Sequence, residues 1–95
     1  MTAKGLPDGS FRRRPDAAWR RIGEEVVVLD LRTGAYFSLN ETAALIWEEL
    51  DGGATRAKAA ARLCAEFDAD EERAARDVDE LVAALLREGV LEPAP

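Results

Sequence analysis

The stretch that most constrains the fold is Gly34–Leu50, because it predicts a strand that runs directly into a helix. Ala35–Leu39 supplies Tyr, Phe and Leu, which favour strands. Asn40 then offers a side-chain oxygen to the first free N–H groups of a helix over about Glu41–Leu50. One apolar stripe with helical spacing follows in this helix: Ala43, Ile46, Trp47 and Leu50. We therefore expect a sheet before this junction and helices after it.

Two further strands are predicted upstream, Ala18–Ile22 and Glu25–Leu31. The second is rich in β-branched residues and mostly apolar, which is typical of a central strand. Connections as short as Gly23-Glu24 and Arg32-Thr33-Gly34 permit only antiparallel pairing of consecutive strands. The three strands should thus form a meander in which the third, Ala35–Leu39, is an edge with unpaired backbone groups.

Two more helices are predicted, over about Arg56–Phe67 and Asp70–Glu88. The last carries an apolar stripe that is broader than a coiled-coil seam. The residues of this stripe are Ala74, Val78, Leu81, Val82, Leu85 and Leu86. The predicted fold is α+β and winged-helix-like, with a three-stranded antiparallel sheet followed by three helices. Residues 11–91 should form the domain, residues 1–10 a flexible tail and residues 92–95 a frayed end.

The composition argues against an enzyme. The chain has no histidine and a single cysteine, Cys64, so a Cys/His zinc site and a His-based triad are excluded. No glycine-rich phosphate loop is present, and the carboxylates fall mostly on a solvated helix face. We therefore expect a binding module with no catalytic residues, no metal and no cofactor.

Charge is unevenly distributed along the chain. Residues 1–34 carry seven Lys/Arg and five Asp/Glu, whereas residues 35–95 carry six and fourteen. The acidic helical half disfavours nucleic acid, since a phosphate backbone requires clustered positive charge. A winged-helix DNA-binding protein is therefore only an alternative. No apolar run could span a membrane and the N-terminus has no secretory apolar region, so a cytoplasmic address is expected.

The favoured binding mode is strand addition. A partner peptide could pair with the free backbone of the third predicted strand, and side-chain pockets beside that edge would give specificity. The wide stripe of the third helix could line such a groove. An exposed edge of this kind is also able to pair with a second copy of the chain, which would give a homodimer.

Several motifs in order resemble the PqqD-like family over about Phe11–Leu91. They are the run GAYFSLNETAALIW (Gly34–Trp47), the turn DGGAT (Asp51–Thr55), DVDEL (Asp77–Leu81) and the terminal GVL (Gly89–Leu91). The resemblance implies a recognition element (RRE) for ribosomally made, modified peptides (RiPPs). Such domains are non-catalytic peptide chaperones that bind the leader segment of a precursor peptide and deliver it to a processing enzyme.

Mapped onto this chain, the resemblance implies that the leader adds to the third strand beside the third helix. The peptide-binding residues would be Ala35, Tyr36, Phe37, Ser38 and Leu39 on the strand, with Arg73, Asp77, Val78, Leu81 and Leu85 on the helix. The Tyr-Phe strand and the Trp-containing first helix look more like members from lasso peptide clusters, whose partner is a leader peptidase. The alternative is a partner of a radical SAM enzyme, as in pyrroloquinoline quinone biosynthesis.

Overall fold

The computed structural model describes residues 5–94, and within them the predicted strands and helices are confirmed. The elements are β1 Phe11–Arg13, β2 Ala17–Ile22, β3 Glu25–Asp30, β4 Tyr36–Leu39, α1 Glu41–Asp51, α2 Arg56–Phe67, α3 Glu71–Glu88 and β5 Leu91–Pro93. Strands β2, β3 and β4 form an antiparallel sheet in that order, so β2 and β4 are its edges. The α+β class and the three-stranded sheet followed by three helices therefore hold.

The core lies between the inner face of this sheet and the helices. Val26 and Val28 of β3 are fully buried, as is Trp47 of α1. The Trp19 ring of β2 meets Trp47 edge-on with ring centroids 6.3 Å apart, and its Nε1 donates to Asp51 Oδ2 at 3.1 Å. Strand β3 has one face covered, because Val27 is half-buried and Leu29 is 36% exposed on the other face.

The C-terminus differs from the prediction. Residues 92–94 are not frayed, because Leu91–Pro93 forms β5 and pairs antiparallel with β1. Ala94 N–H also donates to the backbone oxygen of Ser10. Leu91 is almost completely buried beside Val90 and Phe11, so the small second sheet closes one end of the core. The sequence signal was too short for a strand prediction, since only Val90 and Leu91 are apolar there.

The predicted flexible N-terminal tail is also wrong in part. Residues 1–4 lie outside the described part of the chain, but the segment after them is held by Arg56 of α2. The guanidinium of Arg56 donates to the backbone oxygen of Pro7 at 2.9 Å and to Asp8 at 2.8 Å. The same group bonds Asp79 of α3 at 2.7 Å, so it links three segments.

The β3–β4 turn is fixed by glycine geometry and by one ion pair. Gly34 has a φ of 81°, which side-chain-bearing residues rarely adopt. Asp30, nearly fully buried, accepts from the backbone N–H of Arg32 at 3.0 Å and from its guanidinium at 3.0 and 3.1 Å. This hydrogen-bonded arginine holds the pKa of Asp30 below its ordinary value, although burial opposes the shift. The turn thus places β4 alongside β3.

Candidate peptide-binding site

The free edge of β4 is set by its register with β3. Asp30 N–H donates to the backbone oxygen of Ala35 at 2.8 Å, and the pairing continues to Val26 opposite Leu39. Because backbone groups of successive strand residues point to opposite sides, Phe37 and Leu39 face β3 as Ala35 does. Tyr36 and Ser38 therefore direct their N–H and C=O groups away from the sheet. These four groups are the open edge.

The other predicted strand residues support this edge from within the sheet. Ala35 lies before β4. Its N–H donates to Thr33 Oγ1, and its C=O accepts from the backbone N–H of Asp30. Phe37 is half-buried against the core and Leu39 is buried. Ala35, Phe37 and Leu39 thus offer a guest strand no free backbone pair. The predicted five-residue edge is reduced to Tyr36 and Ser38.

On α3, the predicted groove residues fall on two faces. Val78 is fully buried and Leu85 is 3% exposed. Leu81 is half-buried, and Asp77 and Arg73 are exposed. The groove wall that includes Val78 and Leu85 stays a prediction, but both side chains belong to the core cluster, and α3 packs mainly against α2 and β5.

A concavity of about 400 Å³ lies between the start of α1 and α3. It begins at Asn40, which directly follows β4, so the open edge and the concavity meet there. Its lining is Asn40, Thr42, Ala43, Ile46, Asp77, Glu80, Leu81 and Ala84. Only Asp77 and Leu81 of these were predicted. The α1 residues were missed because Asn40 and the first turn of α1 were assigned structural roles alone.

Asn40 does have its predicted capping role. Its side-chain oxygen accepts from Ala43 N–H at 3.0 Å and from the Thr42 hydroxyl at 3.1 Å. The cap orients the first turn of α1 at the mouth of the concavity, so one residue ends the edge strand and starts the groove wall.

A second concavity, of about 390 Å³, continues from the first along α3 toward α2. Thr42 and Asp77 line both. Arg73 lines only the second, together with Phe67 and Leu63 of α2. The structure therefore brings Arg73, Asp77 and Leu81 to one side of α3, and the two concavities form a continuous groove that we call the α1–α3 groove.

Over residues 5–94, no group of three or more potential ligand side chains is arranged to hold a metal ion. Among the helices in that same range, none combines the length and apolarity needed to cross a bilayer. The chemistry that the site itself offers is backbone pairing at the edge of β4, apolar contact in the α1–α3 groove and charge at the groove rim.

Comparison with known proteins identifies the family of this chain. The family described as Coenzyme PQQ synthesis protein D (PqqD) matches residues 25–91, which include β3, β4 and all three helices. The chain therefore belongs to the PqqD family. A comparison with curated proteins gives no match.

Two solved structures resemble the whole domain. One, described as TbiB1 in complex with the TbiA(beta) leader peptide, is 30% identical, with a TM-score of 0.81 over 88% of this chain and 98% of that one. Another, a lasso peptide synthetase B1 complexed with the leader peptide, is 37% identical, with a TM-score of 0.80 over 88% of this chain and 99% of that one. The PqqD-like fold and its likeness to leader-binding proteins of lasso peptide synthesis are thereby confirmed.

Proposed function

We propose that this chain binds the leader segment of a ribosomally made precursor peptide as an added strand on β4, and presents it to a separate processing enzyme. The observation that carries the proposal is the open edge at Tyr36 and Ser38, which runs into the α1–α3 groove at Asn40. Both structural neighbours are complexes with leader peptides, which supports the same kind of ligand here.

Strand addition suits a protein that must hold a peptide without altering it. The main-chain groups of Tyr36 and Ser38 would supply two donors and two acceptors to a guest of almost any sequence. Leu81 and its neighbours in the groove would then contact the guest side chains. A role as a non-catalytic peptide carrier follows, because binding of this type requires no reactive side chain.

The favoured recipient of the peptide is a lasso peptide leader peptidase. Support comes from the two neighbours, one of which is named as a lasso peptide synthetase component. A second candidate is a radical SAM enzyme in a quinone cofactor pathway, and the PQQ description of the matching family favours it. The genes beside the one for this chain would separate the two, since each pathway requires a different enzyme and a different precursor.

Nuclear magnetic resonance of ¹⁵N-labelled protein tests the binding mode. The titrant is a synthetic leader segment of the short precursor encoded nearby. We expect the amides of Tyr36 and Ser38 to shift and to exchange with solvent more slowly, because they gain hydrogen bonds. The Phe37 amide, already directed to β3, should change its exchange rate much less. Protection confined to β2, or no protection at either edge, would contradict strand addition to β4.

A further inference from the structure

The α1–α3 groove combines an apolar floor with an acidic rim just beyond the open edge. Ile46 is buried at the floor, and Ala43, Leu81 and Ala84 are half-buried around it. Asp77 and Glu80 stand exposed on the α3 side of the same concavity. A leader peptide that pairs with Ser38 and continues past Asn40 would contact both the apolar floor and the acidic rim.

The two rim carboxylates form no ion pair with the arginines of the same helix. Arg73 and Arg76 lie four residues before Asp77 and Glu80, a spacing that permits ion pairs on a helix. Within the residues that the structure describes, neither arginine comes within 4.0 Å of a carboxylate. On the facing element, the first turn of α1 adds Glu41 and no cation. The two rim carboxylates are therefore exposed and free of ion pairs, although Arg73 lies beside Asp77 in the adjoining concavity.

An extended guest presents its side chains alternately to opposite sides. When one side chain enters the apolar floor, the side chains two positions before and after it point to the same side of the peptide and can reach the rim on α3. We propose that the groove selects leader segments in which lysine or arginine lies two positions from an apolar residue, with the cation paired to Asp77 or Glu80. This proposal rests on the proposed function, because it assumes that the guest is held on β4.

A displayed library of random twelve-residue peptides tests the proposal without knowledge of the natural precursor. Peptides are selected on the wild-type chain and counter-selected on Ser38→Pro, so that binders at the β4 edge are retained. We expect the survivors to be enriched in an apolar residue two positions from Lys or Arg. A parallel selection on the double variant Asp77→Asn, Glu80→Gln should lose the basic enrichment and keep the apolar one.

One selected peptide is then measured by calorimetry. Exposed charge pairs contribute about 0.2–1 kcal/mol each, so for a peptide that pairs with both carboxylates the double variant should lower affinity about 2- to 30-fold in low salt. The loss should shrink at high salt, where such pairs are screened. Glu71→Gln is the matched control: it removes one charge from the same helix, but Glu71 lines a different cleft, between α2 and α3. Its affinity should stay within a factor of two.

The outcomes separate this inference from the proposed function. Edge binders without basic enrichment, or an unchanged affinity in the double variant, would overturn the acidic selection and leave leader binding intact. If counter-selection removes every binder because all of them bind Ser38→Pro as tightly as the wild type, and Tyr36 and Ser38 gain no protection, strand addition itself would be overturned.

Discussion

The sheet has two edges, β2 and β4, and the chain covers part of the β2 edge but none of the outward groups of β4. On β2 the backbone N–H and C=O of Ala17 point away from the sheet, and both are already hydrogen-bonded. The N–H donates to the backbone oxygen of Arg14 at 3.0 Å, and the C=O accepts from the Arg13 guanidinium at 2.8 Å. On β4 the outward pairs belong to Tyr36 and Ser38, and both side chains are uncharged and exposed. The two edges therefore differ in how far the chain itself covers them.

Charge adds to this difference. Strand β2 carries Arg20 and Arg21 before its last residue, both exposed, and Arg21 forms an ion pair with Glu48 of α1 at 3.3 Å. Charged side chains are a common device against unwanted pairing at a sheet edge. Since β4 has no charged residue, the same sheet discourages strand addition on one side and permits it on the other. Polarity of the edge side chains, rather than strand length, separates the two: β2 has six residues and β4 has four.

The largest expected effect comes from proline at the open edge. Ser38→Pro removes an outward N–H and puts a ring in the path of the guest, while the ladder to β3 stays intact. A lost hydrogen bond together with this obstruction should weaken leader binding about 10- to 100-fold. Isothermal calorimetry with the leader peptide measures the change.

Arg21→Pro is the matched control, because Arg21 also directs its N–H outward, on β2. Leu31 N–H donates to the Asp16 backbone, so odd residues of β3 bond β2 and the odd residues of β2 face out. Leader affinity should remain within a factor of two. If Arg21→Pro weakened binding as strongly as Ser38→Pro, the two edges would not differ in the way that we describe.

A proline one position earlier should affect the fold instead. The Phe37 N–H faces β3, so Phe37→Pro removes a ladder bond inside the sheet and disturbs a half-buried side chain. We expect it to lower the free energy of unfolding by about 1–3 kcal/mol, and Ser38→Pro to lower it by less. Urea denaturation of both variants gives the comparison. Equal losses would mean that the backbone directions along β4 are wrong.

The contrast between Phe37 and Ser38 also shows how much of the edge could be predicted from the sequence. Alternation and the short turns predicted the meander and its β4 edge, because those signals are local. Which residues of the edge face outward depends on how the Gly34 turn places Ala35 opposite Asp30, and that pairing is visible only in the register. The edge was therefore located by sequence, but its free groups were not.

The groove side of the site shows a second limit. The wide stripe on α3 suggested that part of it lines a groove, yet it could not say which margin stays exposed. Val78 and Leu85 became core, and Leu81 remained half-buried. The α1 contribution, including Thr42 and Ile46, depends on the angle at which α1 leaves β4. Such an angle follows from tertiary packing and leaves no periodic signal in sequence.

The smallest expected effect concerns what holds each edge in place. Arg13 secures the β2 side through a hydrogen bond to the backbone oxygen of Ala17, whereas the β3–β4 turn depends on a carboxylate, Asp30. Because Arg32 lowers the pKa of Asp30 below 3.8 in the folded state, the charged form stabilises the fold above that pH. The contribution is lost as the pH falls through the lowered pKa. The other acid within reach of Arg32 is Asp16, at 3.4 Å.

Asp30→Asn should therefore be less stable than the wild type at neutral pH, and the difference should fade in acid below pH 3.8. Thermal unfolding from pH 7 down to 3 measures it, with amide exchange of Phe37 and Arg20, whose N–H groups face β3, as reporters of the two edges. In the variant at pH 7, exchange at Phe37 should rise more than at Arg20. A stability difference that stayed constant with pH would show that the Asp30 charge does not hold the turn, and equal changes at both amides would show that β4 is not secured separately from β2.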